Sequence, residues 1–435
     1  MRIRIVVLTV VVGVALAGIW GAALGCGGSS HSAVVSGSDS PSPLQTPTPT
    51  LTPLPRSSGP LNLRPPDGYV YSGGGAVSTK GTLTLGNNCT ITGVNFAGGE
   101  SGIHIRGSGN KVYGCTFGAY SWAGLVVLSG NDNVINGNTF NGVTGLGANI
   151  QILGGQGNQI TNNVTHGGIT AIAFLYSRSV NGGGAASLVT GNVVSGNTCS
   201  GFSEEGITFD VKGDDAPDTA ALEYDTVASI SGSTITLSKH TWPSYVGYDL
   251  VFLTGALTGR TRSIVGQTGA TFTLDAPATG VVASDEVVIG ATFKRNLVSG
   301  NTVAAASGGN GVLLYGLAFG NRIENNRILN GSIQVESLDN LVPASGSVTG
   351  TYGRAPCGYN TIKNNVVSGA VSLEYYAIPD MNGHANSYPA YTSYGNNVIG
   401  NQCASVDANQ QVAYIANNTG TTNYENVTLN DSEMH

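Results

Sequence analysis

One short phrase recurs along the chain and limits what it can fold into: Asn, any residue, Val or Ile, two further residues, Asn. It reads Asn133-Val-Ile-Asn-Gly-Asn138, Asn158-Gln-Ile-Thr-Asn-Asn163, Asn192-Val-Val-Ser-Gly-Asn197 and Asn296-Leu-Val-Ser-Gly-Asn301. It returns as Asn321-Arg-Ile-Glu-Asn-Asn326, Asn360-Thr-Ile-Lys-Asn-Asn365 and Asn396-Asn-Val-Ile-Gly-Asn401. Asn110-Lys-Val-Tyr-Gly-Cys115 keeps the frame with Cys at the last position, and Cys89-Thr-Ile-Thr-Gly-Val94 is a fainter opening copy. Starts are 23, 25 and 34 residues apart early on and 25, 39 and 36 apart later, while the interval from Asn192 to Asn296 is far longer.

A period in the twenties and thirties marks stacked repeats. Each phrase alternates like a strand, with one β-branched residue aimed inward. A second short strand follows in most copies: Gly102-Ile-His-Ile, Gly124-Leu-Val-Val-Leu128, Gly206-Ile-Thr-Phe-Asp210 and Gly311-Val-Leu-Leu. Asn and Gly at the bends tolerate left-handed backbone angles. Asn at one phase of successive coils can also bond into a ladder of amides along the axis. The Leu-x-x-Leu-x-Leu frame of leucine-rich repeats is missing. The pattern resembles the right-handed parallel β-helix of the pectin-lyase-like superfamily over roughly residues 80 to 415 outside the long interval. That resemblance implies an all-β chain, a single-stranded right-handed parallel β-helix, or solenoid, over 61–435, and the long interval reads as one inserted small β domain.

Composition agrees with a solenoid, since 65 of 435 residues are Gly and 10% are charged. With 18 basic against 25 acidic residues and no basic cluster in the sequence, nucleic acid is excluded as a partner. The start is basic and then apolar from Ile5 to Trp20, an export signal. Ala23-Leu24-Gly25-Cys26 resembles a bacterial lipobox, although Leu stands one place late. Residues 1–26 therefore admit a lipoprotein signal with lipid on Cys26, a cleaved secretion signal, or an uncleaved membrane anchor; the first is preferred. The Pro/Ser/Thr-rich residues 27–60 form a tether with no apolar surface to bury. The expectation is a monomer held at the membrane by an N-terminal lipid or signal anchor. Five further cysteines, an odd number, argue against a disulfide framework, and Cys199 and Cys403 fall at an inward phase.

The long interval, residues 216–292, carries its own tandem. Ser229-Ile-Ser-Gly-Ser-Thr-Ile-Thr-Leu237 echoes Ser263 to Leu274, and Asp249-Leu-Val-Phe echoes Asp285-Glu-Val-Val-Ile. Strand pairs with Gly turns point to a small β-barrel or sandwich. Trp242 lies in this module, as a core residue or as a platform for a sugar ring.

Equivalent outward positions of stacked coils lie about 4.8 Å apart and form columns. Aligning the Gly-Ile-x-Ile strands gives one column through His104, Arg106, Val126, Gln151, Leu175, Asp210, Lys212, Tyr315, Gln334, Glu336, Glu374 and Tyr376. Its later half is ionisable, and the insert leaves beside it. Glu336 and Glu374 one rung apart, with Asp210 two rungs from Glu336, suit a carboxylate pair acting on a glycosidic bond. Tyr315, Tyr376, Trp242 and Arg178 are candidate substrate contacts. Alternatively, Lys212 or Arg178 acts beside a carboxylate-bound calcium ion, as in the lyases of the superfamily, with Asp210, Glu336 and Glu374 as partial ligands. Exposed carboxylates that merely keep a sheet soluble are the plain counter-reading, and a slip of one residue would reverse every face.

Gly213-Asp214-Asp215 and His166-Gly167 are similar to two polygalacturonase elements, but their order is inverted and the remaining elements are missing. The sequence therefore points to an extracytoplasmic polysaccharide-binding β-helix, cleaving its ligand as hydrolase or lyase in a groove walled by the insert. The alternative is a non-catalytic surface adhesin or structural β-helix.

Overall fold

The computed structural model describes residues 61–73, 78–79, 81–144, 147–176, 188–211, 221–239, 244–306, 309–341, 353–377 and 393–435. Among them there are strands and turns and no helix. Every phrase forms a three-residue strand or the end of a longer one, and these strands stack in parallel with the central Val or Ile in register. Val112 pairs with Ile135, Ile135 with Ile160, Ile160 with Val194, Val194 with Val298, Val298 with Ile323 and Ile323 with Ile362. All are fully buried. A second stack of two- and three-residue strands follows each phrase, and a third is built from the Gly-Ile-x-Ile segments. Each coil thus contributes its inward residues to one continuous core.

Two amide ladders run through that core. The first Asn of each phrase donates from Nδ2 to Oδ1 of its counterpart in the next coil, at 2.9 to 3.1 Å, from Asn110 to Asn133 to Asn158 and again from Asn192 through Asn296, Asn321 and Asn360 to Asn396. Between Asn158 and Asn192 the backbone N–H makes the link at 2.8 Å. The second Asn forms a parallel ladder from Asn138 through Asn163, Asn197, Asn301, Asn326 and Asn365 to Asn401. Cys115 heads it, its N–H donating to Asn138 Oδ1 at 2.9 Å. An amide fits this slot because it donates and accepts at once, so each buried polar group in the turn finds a partner.

The residue before each second Asn has a left-handed backbone, with φ of 66° at Gly137, 54° at Asn162, 65° at Gly196 and 57° at Asn325. This is why that position holds Gly or Asn. The Gly of Gly-Ile-x-Ile has a different cause. A Cβ at Gly206 would lie 2.6 Å from the Gly311 carbonyl oxygen and 2.2 Å from Val303 Cγ1, so the coils approach too closely for any side chain.

The insert leaves after Val211, and the coil stack closes over the gap: Val189 pairs with Phe293, Val193 with Leu297 and Glu205 with Asn310. It folds as a closed antiparallel barrel of six strands, in the order Ala221–Ser231, Thr234–Leu237, Thr271–Leu274, Thr261–Thr268, Asp249–Phe252, Glu286–Gly290. The two sequence echoes are neighbours in it, with Ile235 opposite Phe272 and Leu250 opposite Ile289. The barrel is joined to the coils by the buried Asp249 carboxylate. It accepts from Ser263 Oγ at 2.8 Å, from Thr292 Oγ1, and from Lys294 Nζ at 2.7 Å, the last two belonging to the returning coil.

All five cysteines among the described residues are free and buried. Burial pushes the thiols of Cys115 and Cys357 up to about 12 and that of Cys199 to about 11, so they are packing residues rather than nucleophiles.

Candidate functional site

Pairing of the long strands resolves the expected single column into two adjacent ones on the same outward face. One runs His104, Val126, Gln151, Ala173, Thr208, Leu313, Gln334, Ser372, Asp407. The other, two residues along, contains Leu175, Asp210, Tyr315, Glu336 and Glu374 on consecutive rungs. Gln151 and Leu175 are thus in different columns, because Gln151 pairs with Ala173. The face is preserved since the shift is by two residues, one full pleat.

On the early rungs Val126, Gln151 and Ala173 are buried and His104 is half-buried. Val126, Leu128 and Leu153 cluster beneath Trp122 and Leu175, apart from the main core. The carboxylates of the second column stand on the later coils, whereas Glu100 and Arg106 act on His104 in an early one. Asp210, Tyr315, Glu336 and Glu374 are all half-buried, and Tyr315 packs on the core while its ring sits on the rung between Asp210 and Glu336. Glu374 has its carboxyl raised above the usual carboxylate range, chiefly by burial; a Ser372 hydrogen bond opposes the rise and the Asp407 charge adds to it. Asp407 is held in place by Ser405 Oγ at 2.9 Å and Asn423 Nδ2 at 2.6 Å. Beyond Glu374 the face opens into a cavity of about 400 Å³ bordered by Glu374, Asp407, Asn409, Asn423, Tyr424 and Glu425.

Lys212, Arg178, Trp242 and Cys26 lie outside the described residues, as does the side chain of Tyr376, whose backbone pairs with Leu338 two positions past the Glu336–Glu374 rung pair. Among the described residues no three His, Cys, Asp or Glu side chains converge to hold a metal ion. Glu374, Asp407 and Glu425 border one cavity without forming the oxygen-rich shell that calcium requires. Asp407, Asn409 and Glu425 are absent from the column as read in sequence. The Val406 and Ala408 alternation around Asp407 is their signal, but no Gly-Ile-x-Ile frame marks it.

Residues 80–216 match the family model described as "Right handed beta helix region", which spans less than a third of the chain. No curated protein sequence matches the chain. Among solved structures, a family 28 exopolygalacturonase of Yersinia enterocolitica is similar at 13% identity and TM-score 0.38, covering 75% of this chain and 47% of its own. This chain thus spans about half of that enzyme. The surface protein and adhesin PfbA of Streptococcus pneumoniae is similar at 10% identity and TM-score 0.36, covering 83% of this chain and 78% of its own. An alginate lyase of Paenibacillus sp. str. FPU-7 is similar at 10% identity and TM-score 0.33, covering 82% of this chain and 91% of its own. The in-register parallel coils and the family match together identify this chain as a right-handed parallel β-helix with an inserted six-stranded barrel.

Proposed function

We propose that the chain is an exported, membrane-tethered protein that binds polysaccharide along the outward face of its long strands and cleaves a glycosidic bond there. The observation that carries this reading is the run Asp210, Tyr315, Glu336, Glu374 on consecutive rungs, with the Glu374 carboxyl raised by burial. A raised carboxyl keeps its proton at the pH where its neighbours are ionised, which is what a general acid needs. Glu374 is assigned as the acid that protonates the leaving oxygen. Glu336 is one rung away, about 4.8 Å by strand spacing, and serves as the partner carboxylate facing the developing positive charge at the sugar carbon. That spacing is closest to the retaining arrangement of about 5 to 5.5 Å. Tyr315 offers a ring against which a sugar can pack, and Asp210 a hydrogen-bond acceptor for its hydroxyls. Lipid on Cys26 and the 27–60 tether would hold the solenoid outside the membrane.

The test is a panel of neutral and acidic polysaccharides, read for new reducing ends and for the absorbance of unsaturated products. The expected result is reducing ends without unsaturated product, with Glu336→Gln and Glu374→Gln each lowering turnover at least about a hundredfold while the fold is kept. Unsaturated product would mean elimination and would overturn the acid role of Glu374. Binding without turnover would leave a binding module, and wild-type turnover in both variants would remove the site.

A further inference from the structure

A second concave surface lies where the barrel meets the coils, on the phrase-strand flank rather than on the long-strand face. A cavity of about 420 Å³ is bordered there by Arg260 and Arg262 of the barrel and by Arg295, Arg322 and Tyr359 of the coils. It adjoins one of about 630 Å³ that shares Arg260 and Tyr359 and adds Tyr394. Charge in the groove is unevenly compensated. Lys294 is neutralised by Asp249, and Arg322 is paired with Glu324. Among the described residues Arg260, Arg262 and Arg295 have no ion pair. Three guanidinium groups without an ion pair thus border one groove of a chain that is acidic overall, Arg262 also donating to the Thr261 and Pro277 carbonyls.

The groove is also built at a cost to the backbone. The residue preceding the first Asn of each phrase is left-handed throughout: Gly109, Asp132, Gly157, Gly191, Arg295, Gly320, Tyr359 and Gly395. Six of these are Gly or Asp, which tolerate the conformation; the other two, Arg295 at φ 54° and Tyr359 at φ 55°, border the groove. A long side chain in that conformation is strained, and at this phase of the repeat the strain is kept where the coils border the groove, which marks a site whose side chains matter more than its backbone. The surroundings are shaped to seat them. A Cβ on Gly395 would lie 2.6 Å from Tyr359 ring carbons, and one on Gly259 would lie 3.3 Å from the same ring. The Arg260 guanidinium lies 3.7 Å from the Tyr359 ring centroid, and the Tyr359 and Tyr394 rings are 5.9 Å apart.

We infer that this junction groove binds the anionic groups of an acidic glycan, with Arg260, Arg262 and Arg295 taking carboxylate or sulfate oxygens and Tyr359 and Tyr394 packing on the sugar rings. Arginine forks match both anions in a planar, two-pronged way that lysine does not. Tyrosine at the same place selects a ligand with a flat or ring-shaped apolar face over a bare ion. This inference is independent of catalysis on the long-strand face.

The test uses the full chain and measures dissociation constants for polygalacturonate (carboxylate), heparin (sulfate), dextran (neutral) and single-stranded poly-dT (phosphate, no acidic sugar). The expected result is binding of polygalacturonate or heparin at least about tenfold tighter than of dextran or poly-dT, with whichever is tighter naming the anion. Arg260→Ala with Arg262→Ala should weaken that binding at least about tenfold, and the matching pair of Lys substitutions should restore it in part. Arg295→Gly should weaken it as well while leaving thermal stability unchanged or raised, because Gly suits the left-handed backbone; a merely structural Arg295 would not separate the two readouts. Equal affinity for dextran, equal or tighter affinity for poly-dT, or wild-type affinity in the Arg260/Arg262 double variant would each overturn the proposal.

Discussion

Replacing Asn301 by Ala tests the claim that the amide ladders hold the solenoid together. Asn301 is in mid-ladder and almost wholly buried. Its Nδ2 donates to the Val194 carbonyl and to Asn326 Oδ1, both at 2.9 Å, and its Oδ1 accepts from Asn197 N and Nδ2, both at 2.9 Å. Alanine removes all four bonds. Asn197 Nδ2 keeps the Ile160 carbonyl at 2.8 Å, and Asn326 Oδ1 keeps the Asn301 N–H at 3.0 Å, so those groups are weakened rather than stranded. The Asn197 N–H loses its partner in a buried site, which costs about 1 to 3 kcal/mol, and the three other lost bonds cost about 1 kcal/mol each, giving about 4 to 6 kcal/mol in all. The control is Asn136→Ala, which removes two bonds at 2.9 Å outside the core, a part-buried one from Thr161 Oγ1 and an exposed one from Asn162 Nδ2. Water replaces those, and the cost should be under about 1 kcal/mol. Urea unfolding followed by circular dichroism gives both values, and a stack uncoupled at Asn301 would melt in two steps. Asn301→Ala within about 1 kcal/mol of Asn136→Ala would refute the reasoning, because the buried bonds would then be worth no more than hydrated ones.

Asp249→Ala should destabilise by about 3 to 5 kcal/mol, since it strands the Lys294 ammonium at the barrel–coil junction; calorimetry unchanged from wild type would mean the barrel docks without it. Glu374 is raised in the folded state by burial first, so the native protein holds its proton longer than the unfolded chain. Its contribution to stability is then present below the ordinary carboxylate range and lost as pH rises through the raised value. Glu374→Gln should therefore gain on wild type in melting temperature more at pH 7 than at pH 3, and the opposite ordering would contradict the buried setting. Cys26→Ser should release the exported protein from membranes into the soluble fraction, whereas a variant that remains membrane-bound and uncleaved would favour a transmembrane anchor.

Much of the fold is legible in the phrase because one residue type meets several demands at a fixed phase. Asn133 or Asn301 must be small, must donate and accept, and must follow a left-handed residue, so few substitutions survive and the period stands out. The outward face has no such constraint. At Gln151 the inward neighbours Ile150 and Ile152 fix which side faces out but not how far along the next strand its partner lies, and the reading moved two residues to Leu175. Asp407 escaped for a related reason: its strand, Ser405–Ala416, pairs first with Ala370–Ala377 and then with Ser393–Ile399, so it carries neither repeat frame cleanly. The junction groove was hidden because Arg260 and Arg262 are distant in sequence from Arg295 and Tyr359, and barrel closure brings them together. Yet Arg295 and Tyr359 could have been suspected, as they occupy a phase that elsewhere holds Gly or Asp.

The central functional claim is that glycan lies along the carboxylate face of the later coils. A crystal structure of the Glu374→Gln variant soaked with an oligosaccharide cut from the polysaccharide it retains tests this most directly. The account predicts sugar density along the rungs from Asp210 through Tyr315 and Glu336 to position 374, with a glycosidic oxygen within hydrogen-bond reach of the residue 374 amide. Sugar seated elsewhere on the molecule, with that run of rungs bare, would contradict it.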